Sequence, residues 1–359
     1  MQEQPVTKLL FILKRRPNAN PEQQTPLGLS TGLYNSASFM HDMMTDQHIA
    51  SEMVVVDDYN HIDREVTRVR PTHAIIEALW VVPYKFAELQ RLHPTVTWVV
   101  RLHSDMPFLA GEGISMDWLG DYSGFKNVVI AANSPRMQRE MQLYLSVRNG
   151  WNGRTAAERV IYLPNSYPSD YKWKWFMQDP AHLDIGCFGA VRPLKNHLTQ
   201  AFGAIEFANR IGKKLRFHIN SGRVEGRGDA VMRNLTALFE QLNTQGHELV
   251  NHEWTPRAQF LELCASMDLG LQVSLSETFN IVGADLISQG VPVVGSTEIP
   301  WAVKMFAADP TSSADIAHKL LLTYELPVIN TWLHQRKLRS YCTHSQKQWA
   351  KYFHRGNSK

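Results

Sequence analysis

Short, continuous apolar runs alternate along the chain with longer stretches in which apolar residues recur every three or four positions. Leu9–Leu13 is the first run, followed by Met53–Val56, His73–Leu79, Thr95–Leu102, Phe125–Ala131 and Val160–Leu163. Runs of this length without polar alternation read as strands buried on both faces. Between them, helices are expected from about Tyr34 to Met44 and over Tyr84–Leu92 and Pro135–Leu145. Strands alternating with helices predict a doubly wound parallel sheet over 1–166. Tyr167–His182 mixes proline, polar residues and aromatics with no clean period, and is expected to be a linker.

The pattern then restarts. Leu183–Gly189 reads as a strand, and a helix is expected from about His197 to Ile211, with Leu198, Phe202, Ile205, Ala208 and Ile211 on its apolar face. Leu215–Asn220 is a strand, Asn234–Leu242 a helix, and a short strand ends at His252-Glu253-Trp254. Thr255 is placed as an N-cap with Pro256 at the first helical position, and Phe260, Leu261, Cys264 and Met267 as that helix's buried stripe. Leu269–Val273, a helix over Phe279–Ser288 and the strand in Gly290-Val-Pro-Val-Val follow. A second α/β domain is therefore expected over 183–325. The tail Leu326–Lys359 is expected to be helical and to lay Trp349, Tyr352 and Phe353 on the body of the protein.

Composition sharpens this in three respects. A chain of 359 residues suits two domains, and 44% hydrophobic with 20% charged residues is ordinary for a globular protein. No run approaches ~18 apolar residues, so no membrane-spanning helix is expected. In the N-terminal MQEQPVTKLLFILKRRP the basic residues follow the apolar run, the reverse of a secretory signal. Cys187, Cys264 and Cys342 have neither metal spacing nor even pairing, which places the chain in a reducing cytoplasm. Finally, the tail from Leu326 holds Arg336, Lys337, Arg339, Lys347, Lys351, Arg355 and Lys359 and no acidic residue. Such a block is either a solvated helix face or a surface for an anionic partner, duplex DNA or a membrane.

Candidate chemistry concentrates in Ser274–Ser296. Glu277 lies at the start of the expected helix, where unsatisfied N–H groups favour a phosphate or a sugar oxygen. Asp285, eight residues on, would lie two turns along the same face. Two such carboxylates suit the two sets of vicinal hydroxyls of a nucleotide sugar; they equally suit a plain βαβ unit with one capping and one solvated acid. In GAVRPLKN, Arg192 and Lys195 stand between a strand and a helix, where a forked and a point-like cation fit a diphosphate, or are simply exposed. His103 ends a central strand, where open α/β sheets bind ligands, or it is a structural histidine. Gly28 and Gly32 lie in the first strand-to-helix loop without the Gly-x-Gly-x-x-Gly spacing of a dinucleotide site. Phe108, Met116 and Trp118 around Gly111 and Gly113 read as a mobile aromatic acceptor loop. Trp254 reads either as a stacking platform or as a core residue.

Glu277-x7-Asp285 followed by Gly-Val-Pro-Val-Val resembles the Glu-x7-Glu signature of retaining GT-B glycosyltransferases, most of all family 4. The second carboxylate here is one methylene shorter. The resemblance is strongest over Leu183–Ser296 and weaker over the first 165 residues. It implies two Rossmann-like domains facing each other across a cleft, with the C-terminal helix returning to the first. It also implies a nucleotide-diphosphate sugar as donor, UDP-sugar first, with no cofactor and no metal; the chain contains no Asp-x-Asp. By the same resemblance Glu277 contacts the donor sugar and Asp285 the ribose. Phe279, Asn280 and Ile281 line the donor site, and Gly32 the glycine loop. Lys195, on Gly-x-x-x-Pro-x-Lys, and Arg192, two positions later than the usual Arg, neutralise the diphosphate. His103 in Arg-Leu-His-Ser-Asp lies near the transferred sugar, and the nucleobase lies by the loops before the Pro256 helix.

The wording of FGAVRPLKN, FHIN and SLSETFN is similar to glycosyltransferases encoded by tailed phages, which makes a hydroxylated pyrimidine in DNA a candidate acceptor. A glycan or lipid-linked acceptor, an epimerase, a lapsed binding domain and a nucleic-acid-binding protein are the other readings.

Overall fold

A computed structural model of the chain describes residues 7–15, 31–174 and 179–354. It divides into two compact units, one of Met1–Tyr167 with Cys342–Lys359 and one of Pro168–Tyr341.

The first unit runs β1 (Lys8–Lys14), α1 (Thr31–Asp46), β2 (Ala50–Val56), α2 (Ile62–Val69), β3 (His73–Glu77), α3 (Pro83–Leu92), β4 (Thr97–Leu102), α4 (Met106–Leu109), α5 (Ser115–Tyr122), β5 (Val128–Ala132), α6 (Pro135–Asn149), α7 (Gly153–Arg159) and β6 (Val160–Tyr162). Its six strands lie in the order β2-β1-β3-β4-β5-β6, all parallel. The apolar runs are continuous because both sheet faces are covered. Leu10, Ile12, Ile76, Val100 and Ile130 enter one core, while their neighbours Leu9, Phe11, Ile75, Val99 and Val129 enter the other. Successive side chains on a strand point to opposite faces, so each run supplies both.

α2 escapes a reading by apolar runs. Only Ile62, Val66 and Val69 face inward, and the other five residues are polar. The expected aromatic loop is instead helical, with Phe108 on α4 and Met116 and Trp118 on α5 packed against the first core.

In the second unit the order is β7 (His182–Val191), α8 (His197–Arg210), β8 (Lys214–Val224), α9 (Gly228–Leu242), β9 (Glu248–Asn251), α10 (Arg257–Ser266), β10 (Leu269–Gln272), α11 (Ile281–Ser288), β11 (Val293–Ser296), β12 (Ala307–Ala308) and α12 (Ser313–Glu325). The second sheet is β12-β11-β10-β7-β8-β9, again parallel throughout. α8 corrects the expected stripe, because Phe202 is 50% exposed and the buried face is Ala201, Ala204, Ile205, Phe207 and Ala208. Gly203 explains the shift. A Cβ there would sit 2.6 Å from Ile316 Cγ2 and 2.9 Å from Ser313 O, so the missing side chain lets α12 approach closely. α10 starts one residue later than expected: Pro256 is its N-cap, Thr255 precedes the cap, and no side chain caps the helix.

α13 (Pro327–His354) begins in the second unit and ends in the first. In the first unit Trp349 stacks on Phe11 with ring centroids 6.0 Å apart, and its Nε1 donates to Pro164 O at 2.8 Å. Trp349 and Phe353 are fully buried there, as their helical spacing predicts, each stabilising the helix's docking by roughly 2–3 kcal/mol. Among the described residues no helix is long and apolar enough to cross a membrane.

Candidate functional site

In the second unit the chain winds from β7 outward through β8 to β9, then returns to the other side of β7 for β10. The carboxyl ends of β7 and β10 therefore flank the point where winding reverses, the place where open α/β sheets bind ligands. Backbone geometry shapes the β7 loop. Gly189 sits at φ +117°, a value that favours glycine, with its N–H held by Asn220 Oδ1 at 3.1 Å. Asn196 sits at φ +60° and donates through Nδ2 to Val273 O at 3.0 Å and Pro310 O at 2.7 Å. Gln200 donates to Lys195 O and accepts from Val273 N, both at 2.7 Å, and Leu275 N donates to Leu194 O at 2.9 Å. The loops after β7 and β10 are thus tied together by one backbone bond and by the side chains of Asn196 and Gln200.

The result is a direct bond from Lys195 Nζ to Glu277 Oε1, with the two side chains 14% and 9% exposed. Asn280 Nδ2 reaches the same Oε1 at 3.1 Å and Gln272 Oε1 at 3.1 Å. Its Oδ1 accepts from Gly283 N at 2.6 Å, which makes Asn280 the N-cap of α11 at φ +63°. The helix therefore starts at Ile281, and Glu277 stands in the loop before it. Glu277 and Asp285 do not share a helix face, contrary to the expectation from spacing.

Asp285, on α11, is 2% exposed, and its Oδ1 lies 2.8 Å from Arg257 Nη1 on α10. Phe279 is a core residue whose ring lies 6.2 Å from Trp301 and 5.6 Å from Tyr341, while its carbonyl accepts from Trp301 Nε1 at 2.6 Å. Ile281 is half-buried at the start of α11. Arg192 precedes the turn carrying Lys195, with Nη1 3.6 Å from Glu225 Oε2. Glu225 also accepts from Arg223 Nε at 2.7 Å, and the Arg223 guanidinium lies 5.3 Å from the ring centre of half-buried Trp254. Arg192, Arg223 and Trp254 form one connected group beside the Lys195–Glu277 pair's loop.

In the first unit, His103 directly follows β4, next to β3 in the sheet. Its Nε2 bonds Glu77 Oε2 at the end of β3. Glu77 is fully buried and receives Arg101 Nη1 on both oxygens, at 3.0 and 3.1 Å. Arg101 Nη2 continues to Asn165 Oδ1, which also accepts from Ser36 Oγ on α1 at 2.9 Å. Burial works against the Glu77 charge, but Arg101 and His103 outweigh it and hold its pKa below the usual carboxylate range. Burial pushes the His103 pKa down and Arg101 adds to this, while Glu77 pulls it up. The imidazole is thereby fixed in orientation by a carboxylate. Gly32 lies inside the first turn of α1, not in a loop, with nothing among the described residues within 4 Å of where a Cβ would be. Gly28 falls outside the described residues.

Glu77 and Arg257 are the side chains that reading the sequence missed. Glu77 ends an otherwise apolar strand, HAIIE, and a carboxylate closing a buried strand is the signal that marks it. Arg257 carries no such signal, since an arginine in a first helical turn is common on any surface.

No protein-family model matches the chain, and no curated protein sequence matches it. Solved structures do. The Anabaena protein HepE, in complex with UDP, shares 13% identity at a TM-score of 0.61, covering 96% of this chain and 99% of that one. An α,α-trehalose-phosphate synthase (UDP-forming) from Burkholderia vietnamiensis shares 10% at 0.65, covering 100% and 98%. Sucrose-phosphate synthase from Thermosynechococcus elongatus shares 12% at 0.67, covering 97% and 98%. At such identities the likeness establishes the fold, and the chain has the GT-B architecture of two Rossmann-like α/β units.

Proposed function

We propose that this chain is a retaining, metal-independent glycosyltransferase that uses a nucleotide-diphosphate sugar, UDP-sugar in the first place. The observation that carries the reading is the bond between Lys195 and Glu277 at the switch point of the second sheet. It puts a cation suited to a diphosphate in contact with a carboxylate suited to sugar hydroxyls, which is what a sugar diphosphate requires at its scissile bond. HepE, which shares the fold, was crystallised with UDP.

In this reading the donor's C1–O bond breaks with its electron pair passing to the diphosphate, through an oxocarbenium-like state. Lys195 and Arg192 stabilise the charge that develops on the leaving oxygen. Glu277 holds sugar hydroxyls and releases Lys195 to the phosphate when donor binds, with Asn280 keeping the carboxylate in place. The acceptor oxygen bonds to C1 on the face the diphosphate leaves, and its proton passes to the departing diphosphate oxygen. His103, oriented by Glu77, serves the transferred sugar. We assign Asp285 to the ribose through Arg257, the group its carboxylate holds, and Trp254 to the base. Phe279 and Ile281 shape the wall, Gly32 the start of α1, and Phe108 and Trp118 the acceptor side.

For the acceptor, the exposed cations Arg336, Lys337, Arg339, Lys347 and Lys351 of α13 favour an anionic molecule. Duplex DNA carrying a hydroxylated pyrimidine heads the candidates, as for a phage-encoded enzyme working in a host cytoplasm; an anionic membrane or a glycan is the second. The decisive experiment incubates the full chain with a panel of nucleotide sugars and follows release of the nucleoside diphosphate, with and without acceptor. Slow hydrolysis of one donor is expected without acceptor. No release from any donor, with or without acceptor, overturns the enzymatic reading in favour of a binding protein.

A further inference from the structure

Four side chains, one on β7, two on β8 and one just after β9, form a line of hydrogen bonds that the proposed reaction does not use. Arg216 grips Asp184 through Nε and Nη2, both at 2.6 Å. Asp184 Oδ1 lies 2.8 Å from His218 Nε2, and His218 Nδ1 lies 2.8 Å from His252 Nε2. The two imidazole planes are 12° apart with centroids separated by 5.1 Å, so the rings are nearly coplanar and meet edge to edge.

This line fixes tautomers. The Asp184 pKa falls to about 2, because hydrogen bonds from His218 and Arg216 outweigh the opposing effect of burial. The carboxylate is ionised at neutral pH and can only accept, so His218 Nε2 carries the proton. Arg216 already balances the Asp184 charge, so a single proton on each ring completes the line of hydrogen bonds. His218 Nδ1 is then an acceptor, and His252 Nε2 must donate to it. Burial pushes the His252 pKa down, which favours its neutral form. A neutral His252 protonated on Nε2 has a bare Nδ1, an acceptor on the ring edge turned away from the relay.

The place of His252 in the fold bears on what that acceptor can meet. His252 follows β9, beside Gly222 and Arg223 of β8: a Cβ on Gly222 would sit 2.9 Å from Trp254 N. From the Lys195–Glu277 pair, the β11 side of the sheet edge is filled by buried Trp301, Phe279 and Ser296. The β8–β9 side carries the half-buried Arg223, His252 and Trp254. Two strand spacings of about 4.8 Å separate β7 from β9. A nucleoside diphosphate gripped at Lys195 thus has its base directed along the β8–β9 side.

We propose that His252 selects the donor's base, its Nδ1 accepting the imide N–H of a uracil or thymine while Asp184 and His218 hold the tautomer that makes this possible. The assignment rests on the glycosyltransferase reading above. Cytosine presents an acceptor at the same ring position and would oppose Nδ1 lone pair to lone pair.

The test is titration calorimetry of the full chain with UDP and with CDP. The wild type is expected to prefer UDP by tenfold or more, about what one well-made hydrogen bond contributes. His252→Phe should bring the ratio near one, with both diphosphates still held at Lys195. Asp184→Asn turns an amide N–H against an Arg216 N–H at either oxygen position, loosens the line and should lower the ratio. His218→Gln leaves Asp184 and Arg216 paired and should also lower the ratio, which guards against misfolding of the Asn variant. Nitrogen chemical shifts of the His252 ring report the tautomer without ligand; Nε2–H is expected, and Nδ1–H overturns the proposal. So does a UDP preference that survives His252→Phe. If neither diphosphate binds the wild type, the donor reading itself falls, and this assignment with it.

Discussion

Lys195 and Glu277 stand 82 residues apart in the chain, yet the ammonium of one donates directly to the carboxylate of the other where the second sheet reverses its winding. Lys195→Ala should lower turnover by about 10²–10³, the usual effect of losing one donor aimed at developing charge. Its melting temperature should move little, because Glu277 keeps its bond from Asn280 Nδ2 and the pair retains some contact with solvent. Glu277→Gln should likewise lose most transfer while staying folded. Near wild-type donor turnover in either variant would remove the pair from the reaction.

How much of this was legible follows from where the information lies. Buried parallel strands announce themselves, because residues facing both cores must all be apolar; Leu9–Leu13 and Val128–Ala132 are examples. Helix faces were harder. Phe202 fits the periodic stripe of α8, but Gly203 lets α12 pack on the adjacent face and leaves the ring in water. The loop motif was legible for Lys195 and Glu277, while the geometry joining them was not. Asn280 starts α11 three residues beyond Glu277, and that cap turns Asp285 toward Arg257 of another helix. Spacing along one helix could not have revealed a partner supplied by tertiary structure.

Asp285 tests the cost of that partnership. Its carboxylate is buried against Arg257, which is itself only 25% exposed. Removing one member of a buried pair strands the other charge, at a cost of roughly 3–5 kcal/mol; the partial exposure of Arg257 places Asp285→Ala at the lower end. Urea denaturation should therefore show a clear loss of stability, and the donor KM should rise with kcat less affected. Asp285→Ala combined with Arg257→Met should regain part of the stability but not the KM. Unchanged stability in Asp285→Ala would mean that the pair contributes nothing to the fold.

His103 depends on Glu77 for its orientation. His103→Ala should lower kcat by about 10² or more if the imidazole acts in transfer. Glu77→Gln keeps the shape but leaves the Arg101 charge uncompensated, so it should reduce both stability and turnover. The discriminating measurement is the pH profile of kcat in Glu77→Gln. Glu77 raises the His103 pKa, so removing its charge should move the His103 limb to lower pH. A limb that stays in place would assign it to another group.

Buried histidines predict an acid weakness of the fold. Burial drives His73 in the first unit and His334 in the second from 6.5 to about 4. His334 Nε2 accepts from Val303 N at 3.1 Å, so protonation would also break a hydrogen bond. The unfolded chain binds these protons near pH 6.5 and the folded one only near 4. Stability is therefore full above about pH 6.5 and declines as pH falls toward 4, by about 1.4 kcal/mol per pH unit for each group. Melting temperatures measured from pH 7 to pH 4 should fall accordingly, and His334→Asn should flatten the slope. A flat profile from pH 7 to 5 would contradict the assignment.

The acceptor is tested through α13. Trp349 and Phe353 turn inward, while Arg336, Lys337, Arg339, Lys347 and Lys351 remain exposed on the same helix; Arg355 lies outside the described residues. Two of these cations lie over rings, Arg336 5.7 Å from the centre of Trp332 and Arg339 5.3 Å from that of Tyr171, which limits their side-chain freedom. A phosphate chain bound along them would release one counterion for each charge neutralised, so affinity for duplex DNA should fall steeply between ~50 and ~200 mM salt. Replacing Lys337, Lys347 and Lys351 together with Gln should flatten that slope by about three contacts' worth and leave donor hydrolysis unchanged. The target base would have to leave the stack to meet the donor, so a mismatched or single-stranded site should be modified faster than a paired one. Negligible DNA affinity at low salt, or an affinity indifferent to the triple replacement, would leave these cations as the solvated face of a docked helix and turn the search to glycan or lipid-linked acceptors.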